Sequence, residues 1–159
     1  MRRWNYTTIL VVFLLNALPA LGDTLADGLS AYDAGDYADA VRIWRDLADA
    51  GDPSAQLALA GLYRTGTHVP LDFTEAARLY RAAAESGDAS AQLNLGDLIA
   101  QGLGVERDPV EAYKWLGLAA AQGRNWAADR QRALGESMSG TQVAEAEARI
   151  RAFRPRPRR

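Results

Sequence analysis

Residues 53–88 align without a gap on residues 89–124, and 14 of the 36 paired positions are identical, where unrelated segments would share roughly two or three. The identities include Ala55/Ala91, Gln56/Gln92, Leu59/Leu95, Gly66/Gly102, Asp72/Asp108, Glu75/Glu111, Ala83/Ala119 and Gly87/Gly123. A unit of this length is too short to bury its own apolar face, so such a chain folds by stacking each unit on the next. The expected architecture is therefore a scaffold with an extended binding surface rather than an enclosed catalytic fold.

Each unit reads as two helices punctuated by glycine. Over 89–101, Ala91, Leu95, Leu98 and Ile99 fall on one side of a helical wheel, with Asn94, Asp97 and Gln101 opposite. The second helix has a strong start signal in Asp108-Pro109-Val110-Glu111: an N-cap, a proline at the first helical position, and a glutamate placed to complete a capping box. Asp72-Phe73-Thr74-Glu75 repeats the signal one unit earlier, and Ser139-Gly140-Thr141-Gln142 looks like a third box. Gly51, Gly87 and Gly123 recur every 36 residues after Ala-rich stretches, where a left-handed residue ends a helix.

The same phase extends outward. Ala40, Ala76 and Ala112 are in register, as are Trp44, Tyr80 and Leu116, so an earlier helix pair is expected near 24–34 and 36–50. Helices near 125–135 and 140–153 are expected to complete a fourth pair. The narrow stripe Val143, Ala146, Ile150 and Phe153 makes the last one a capping helix with a polar outer face. The resulting expectation is an all-α chain, an α/α solenoid of about four antiparallel helix pairs. Its parts are 23–52, 53–88, 89–124 and 125–153, followed by a disordered Arg/Pro tail at 154–159.

The segments Leu59-Ala60-Gly61-Leu62-Tyr63-Arg64-Thr65-Gly66 and Leu95-Gly96-Asp97-Leu98-Ile99-Ala100-Gln101-Gly102-Leu103-Gly104-Val105 resemble Sel1-like repeats, relatives of the tetratricopeptide repeat. So do the second-helix segments 75–87 and 111–123. The resemblance implies a solenoid adaptor for protein partners and implies no catalytic activity. Two departures stand out. His68 occupies the place of the loop's second glycine, so this turn is expected to differ from the one at Gly104. The family's cysteine-rich secreted branch joins its repeats by disulfides, which a chain without cysteine cannot do.

Residues 1–22 read as a secretory signal: Arg2 and Arg3, an apolar run from Thr7 to Leu18, then Ala20 and Gly22 as small residues before Asp23. The run falls short of the ~20 residues of a spanning helix. Cleavage before Asp23 and a periplasmic or secreted location are expected, with an uncleaved anchor as the rival reading. With no cysteine there is neither a disulfide framework nor a thiolate site. Residues 23–147 carry ten basic side chains against twenty acidic ones, while six arginines and no acid follow. An acidic body argues against nucleic acid as a partner, since phosphate binding needs a basic face.

Chemistry-bearing residues mostly have a structural explanation. His68 is the single histidine and reads as a loop residue, so no metal or cofactor site is expected. Asp36, Asp52, Asp72, Asp88 and Asp108 sit at helix starts and read as caps rather than catalytic acids. Trp44, Tyr80, Tyr113, Trp115 and Trp126 read as packing between repeats, and Tyr63 similarly. Asn94, Asp97 and Gln101 remain as the partner-binding candidates, since first helices line the inner face of stacked pairs. Their equivalents one unit earlier are Ala58, Gly61 and Thr65, which are small. The expected function is an exported scaffold for a protein or peptide partner in the cell envelope. The alternatives are a cell-wall hydrolase acting through carboxylates and a membrane-anchored adaptor. The tail offers either contact with an anionic surface or a solubilising end.

Overall fold

The computed structural model describes residues 23–157; the expectations for 1–22 and for the last two arginines lie outside these. Among the described residues eight helices follow one another: α1 (Leu25–Ala34), α2 (Tyr37–Asp49), α3 (Pro53–Thr65), α4 (Phe73–Glu85), α5 (Ala89–Gln101), α6 (Pro109–Ala121), α7 (Asn125–Glu136) and α8 (Gly140–Ala152). Consecutive helices pack from α1 to α7, which is the stacking of a helical-repeat solenoid. Among the described residues no helix is long and apolar enough to cross a membrane.

The caps explain the boundaries. Asp52, Asp72, Asp88 and Asp108 each accept hydrogen bonds from first-turn amides at 2.7–3.0 Å, satisfying donors that the helix cannot. Asp36 departs from this pattern: it stands at the start of α2, but its side chain makes no capping bond. Glu111 does not complete a capping box either. Its carboxylate turns to Lys114, Trp115 and Arg149 instead. Ser139 and Gln142 do form a full box at α8, and Thr24 and Asp27 form another at α1.

Gly51, Gly87 and Gly123 take φ of +95°, +94° and +85°, so each unit ends in the left-handed turn that its spacing implied. The loop at His68 keeps the hand of its sister. His68 has φ +62° and Gly104 +67°, so the expected difference in backbone is absent. What differs is the packing. At Gly104 the backbone lies directly against that of Phe73 and Thr74, leaving no room for a Cβ. One unit earlier the His68 ring stacks on Tyr37, with centroids 3.4 Å apart, and meets Tyr32 edge-on.

The core is a file of small and large residues in register. Trp44, Tyr80 and Leu116, 36 apart, are all buried. Trp44 fills the space left by Gly28 and Leu116 that left by Gly96, while at Gly61 the Tyr80 hydroxyl comes only to ordinary contact distance, so α1 and α5 are recessed by a glycine where the second helix projects. Alanines at the other close approaches, including Ala55, Ala76, Ala91 and Ala112, are fully buried.

A second device joins neighbouring units. Gln56 donates to the Ala48 carbonyl at 3.1 Å and Gln92 to the Ala84 carbonyl at 3.2 Å, both buried. In each case an amide on the first helix of one unit satisfies a terminal carbonyl of the unit before.

The C-terminal end departs from the regular pairing. α8 makes its principal contacts with α6, not with α7. The reason lies at Gly117, where a Cβ would stand 2.5 Å from both Gln131 Nε2 and Ile150 Cδ1, so the bare backbone admits α7 and α8 together. Phe153 then packs edge-on against Trp115 at 5.6 Å. Residues 154–157 have no regular secondary structure, and Arg156 donates its backbone N–H to the Glu85 carbonyl at 2.7 Å and pairs with the Glu85 carboxylate at 2.7 Å. Pro155 packs beside Gly87.

Candidate functional site

The first helices of successive units, α3, α5 and α7, stand side by side, and a depression of about 490 Å³ opens across them. Arg64 comes from the last turn of α3, and Asn94, Asp97 and Gln101 from the outward stripe of α5. Trp126 and Arg130 come from α7, while Leu93, Phe73, Leu98 and Leu103 provide apolar walls. The structure thus brings the three residues singled out in the sequence, Asn94, Asp97 and Gln101, into one hollow.

Two of those three are partly engaged by their own helix. Asn94 donates to the Ser90 carbonyl at 2.9 Å and Gln101 to the Asp97 carbonyl at 3.2 Å, bonds that do not use their amide oxygens. Asp97 forms an ion pair with Arg130 of the next unit; its side chain is 20% exposed and that of Arg130 51%. One unit earlier, the equivalents Ala58 and Gly61 are half-buried and Thr65 is exposed, its hydroxyl turned back to the Gly61 carbonyl at 3.0 Å.

Trp126 is 75% exposed, which overturns its assignment to the packing between repeats. It is the second residue of a helix that begins on Arg124 with no side-chain cap, and the buried position of that turn is taken by Ala127 instead. Trp44, Tyr80 and Trp115 are buried as expected, while Tyr113 and Tyr63 are half-buried. A second depression, of about 370 Å³, is lined by Leu93, Gly123, Arg124, Asn125 and the same Trp126. Trp126 and Leu93 line both hollows, so the two adjoin at an exposed aromatic ring and together constitute the groove.

Three arginines border this groove. Arg64 donates its Nε to the Tyr80 hydroxyl at 3.3 Å, and Arg124 donates to the Ser90 hydroxyl at 2.7 Å. Neither meets a carboxylate among the described residues. Sequence reasoning missed Arg64, Arg124 and Trp126. The signal available was their being out of phase: Arg64 aligns with Ala100, and the α7 segment has no close copy upstream.

On the opposite side, Glu111 is the hub of a charged cluster. It accepts from Lys114 and the Trp115 indole at 2.9 and 2.7 Å, and from Arg149 at 3.3 Å. Burial pushes its carboxyl up, but the hydrogen bonds and charges of Lys114, Trp115 and Arg81 outweigh that and hold it below the ordinary value. Lys114 also sits 3.9 Å over the Trp115 ring. Through Arg149 this cluster ties α8 to α6.

Comparison with known proteins agrees with this architecture. Residues 53–88 and 89–123 each match the family model described as Sel1 repeat. Among solved structures, the chain is similar to c5321, a protective antigen present in uropathogenic Escherichia coli strains that displays an SLR fold. That match has 28% identity and a TM-score of 0.76 over 81% of this chain. It is also similar to a Sel1 repeat protein from Oxalobacter formigenes, with 34% identity and a TM-score of 0.60 over 68% of this chain. The chain spans 28% and 43% of the lengths of those two proteins. A search of curated proteins returned no match.

Proposed function

The chain carries two Sel1 repeats within a solenoid of that fold, and on that premise we propose that it is an exported scaffold that holds a protein or peptide partner in the bacterial cell envelope. Sel1 repeats generally mediate protein–protein interaction without catalysing a reaction, and the partner in this reading is a polypeptide that lies across α3, α5 and α7. The observation that carries it is the groove itself: a hollow of about 490 Å³ spanning consecutive units, with an exposed tryptophan on its rim. A large indole left in water costs solubility and is otherwise unexplained by the fold; exposed aromatics of this kind are enriched where partners bind. The carboxylates that a hydrolase reading would need at helix starts are occupied as caps at Asp52, Asp72, Asp88 and Asp108.

Export rests on Arg2 and Arg3, the apolar segment that follows them, and the small residues Ala20 and Gly22 before Asp23. Two experiments test the proposal. Cross-linking in cells should capture a saturable partner through the groove, and W126A should abolish its capture while leaving helicity intact; capture that is indifferent to Trp126 refutes the site. The intact mass of the native protein should lack residues 1–22, and a full-length mass refutes cleavage.

A further inference from the structure

We propose that the groove selects an acidic segment: an extended peptide that sets an apolar side chain against Trp126 and Leu93 and a neighbouring carboxylate on Arg130 and Arg64. The inference rests on the scaffold reading above and names the chemistry of its partner. It follows from where the charges lie. Residues 23–147 carry twice as many acids as bases, so a basic strip on this body is the exception. Yet the two hollows that share Trp126 are bordered by Arg64, Arg124 and Arg130, with Asp97 as the single carboxylate lining them.

The arginines are held in place but not saturated. Arg64 uses Nε on Tyr80 and keeps its two terminal nitrogens free of any carboxylate among the described residues. Arg130 is oriented by Asp97, and a guanidinium has five N–H donors, so one ion pair leaves a face for a second acceptor. A carboxylate entering here gains charge-assisted hydrogen bonds from groups already ordered, which lowers the entropy lost on binding. Trp126 and Leu93 give the adjoining position a flat apolar surface, the anchor that a short peptide needs besides charge. A basic segment would find one carboxylate already engaged and three repelling cations. Within 23–147 the surplus of acids opposes an acidic partner outside this strip, so charge also helps set the register of docking; the other basic surface is the arginine-rich segment from Arg149 on.

The experiment pans the immobilised full chain against a random octapeptide display library, in parallel with the W126A, R64E/R130E and milder R64Q/R130Q forms. Circular dichroism confirms that each variant keeps its helices. Peptides recovered by the unaltered chain should be enriched in Asp or Glu next to Leu, Phe or Trp. The synthetic consensus peptide should lose about tenfold or more in affinity with W126A and with R64E/R130E, with the Gln pair intermediate. Raised salt should weaken it further. Neutral or basic peptides whose binding depends on Trp126 overturn the acidic selection while leaving the groove as a peptide site. Recovery of no Trp126-dependent peptide overturns both. Trp126-dependent binding of a chito-oligosaccharide, with no acidic enrichment among peptides, also overturns the inference and assigns the groove to glycan.

Discussion

Gln56 and Gln92 hold the same place in successive units but end with different partners. Both donate to a carbonyl of the preceding helix, and Gln92 also accepts from Gln122 at 2.9 Å. The residue 36 positions before Gln122 is Ser86, whose hydroxyl turns back to Ala82, and Gln56 Oε1 is left buried with no partner among the described residues. A buried acceptor without a donor carries a desolvation cost. Ser86→Gln should supply the donor and raise stability by about 1 kcal/mol, read as a shift in the urea midpoint at constant slope; an unchanged or lower midpoint refutes this use of the repeat. Glu111 makes the opposite kind of prediction. Its carboxyl lies below the ordinary value of 4.5 in the folded state, so the stability it confers is present above 4.5 and lost as pH falls through the folded value. Glu111→Gln should therefore cost about 1–2 kcal/mol at pH 7. The gap to the unaltered chain should close in acid. A gap that persists at pH 3 would mean that Glu111 acts through packing rather than charge.

At the scale of the element, the informative helix is α8. Its apolar stripe, capping box and role as an outer cover are all legible in the sequence, because periodicity and cap chemistry are local. Its docking partner is not. Pairing α8 with α7 follows from short connections favouring neighbours, and it fails because Gly117 leaves the flank of α6 bare where Arg81 and Arg45 stand in earlier units. The same limit explains the site. Asn94, Asp97 and Gln101 could be placed on an outward stripe from a helical wheel alone. The ion pair of Asp97 with Arg130 and the exposure of Trp126 depend on how α7 sits against α5, which no local pattern encodes. Gly117→Val tests the docking of α8 directly. The added branched side chain meets Gln131 and Ile150 at once, so α8 should be displaced at a cost of about 1–3 kcal/mol. Hydrogen exchange should then show lost protection in 140–152 and at the amide of Arg156, with α3 and α4 unaffected. Equal loss throughout the chain would show that α8 is not a separable cover.

Across the whole molecule, stability is distributed as contacts between adjacent units. The units 53–88 and 89–124 each bring their own aspartate caps and one buried glutamine aimed at the unit before. A chain of this kind should accept another unit without redesign. Duplicating 89–124 in tandem would set the copied Gln92 against the Ala120 carbonyl, as Gln92 now meets that of Ala84, and the copied α6 would still offer Gly117 to α7 and α8. One contact would not survive. The tail now pairs Arg156 with Glu85, and the position 36 residues later is Ala121, so the tail of the longer chain has no carboxylate there. That pair is exposed on the arginine side and contributes at most about 1 kcal/mol. The new interface should outweigh it. The expected outcome is helical signal increased by one unit, a steeper denaturant dependence and a higher melting temperature, all in a single transition. A longer chain that melts earlier, or in two steps, would show that the present C-terminal packing on α6 stabilises the array more than the repeat interface does.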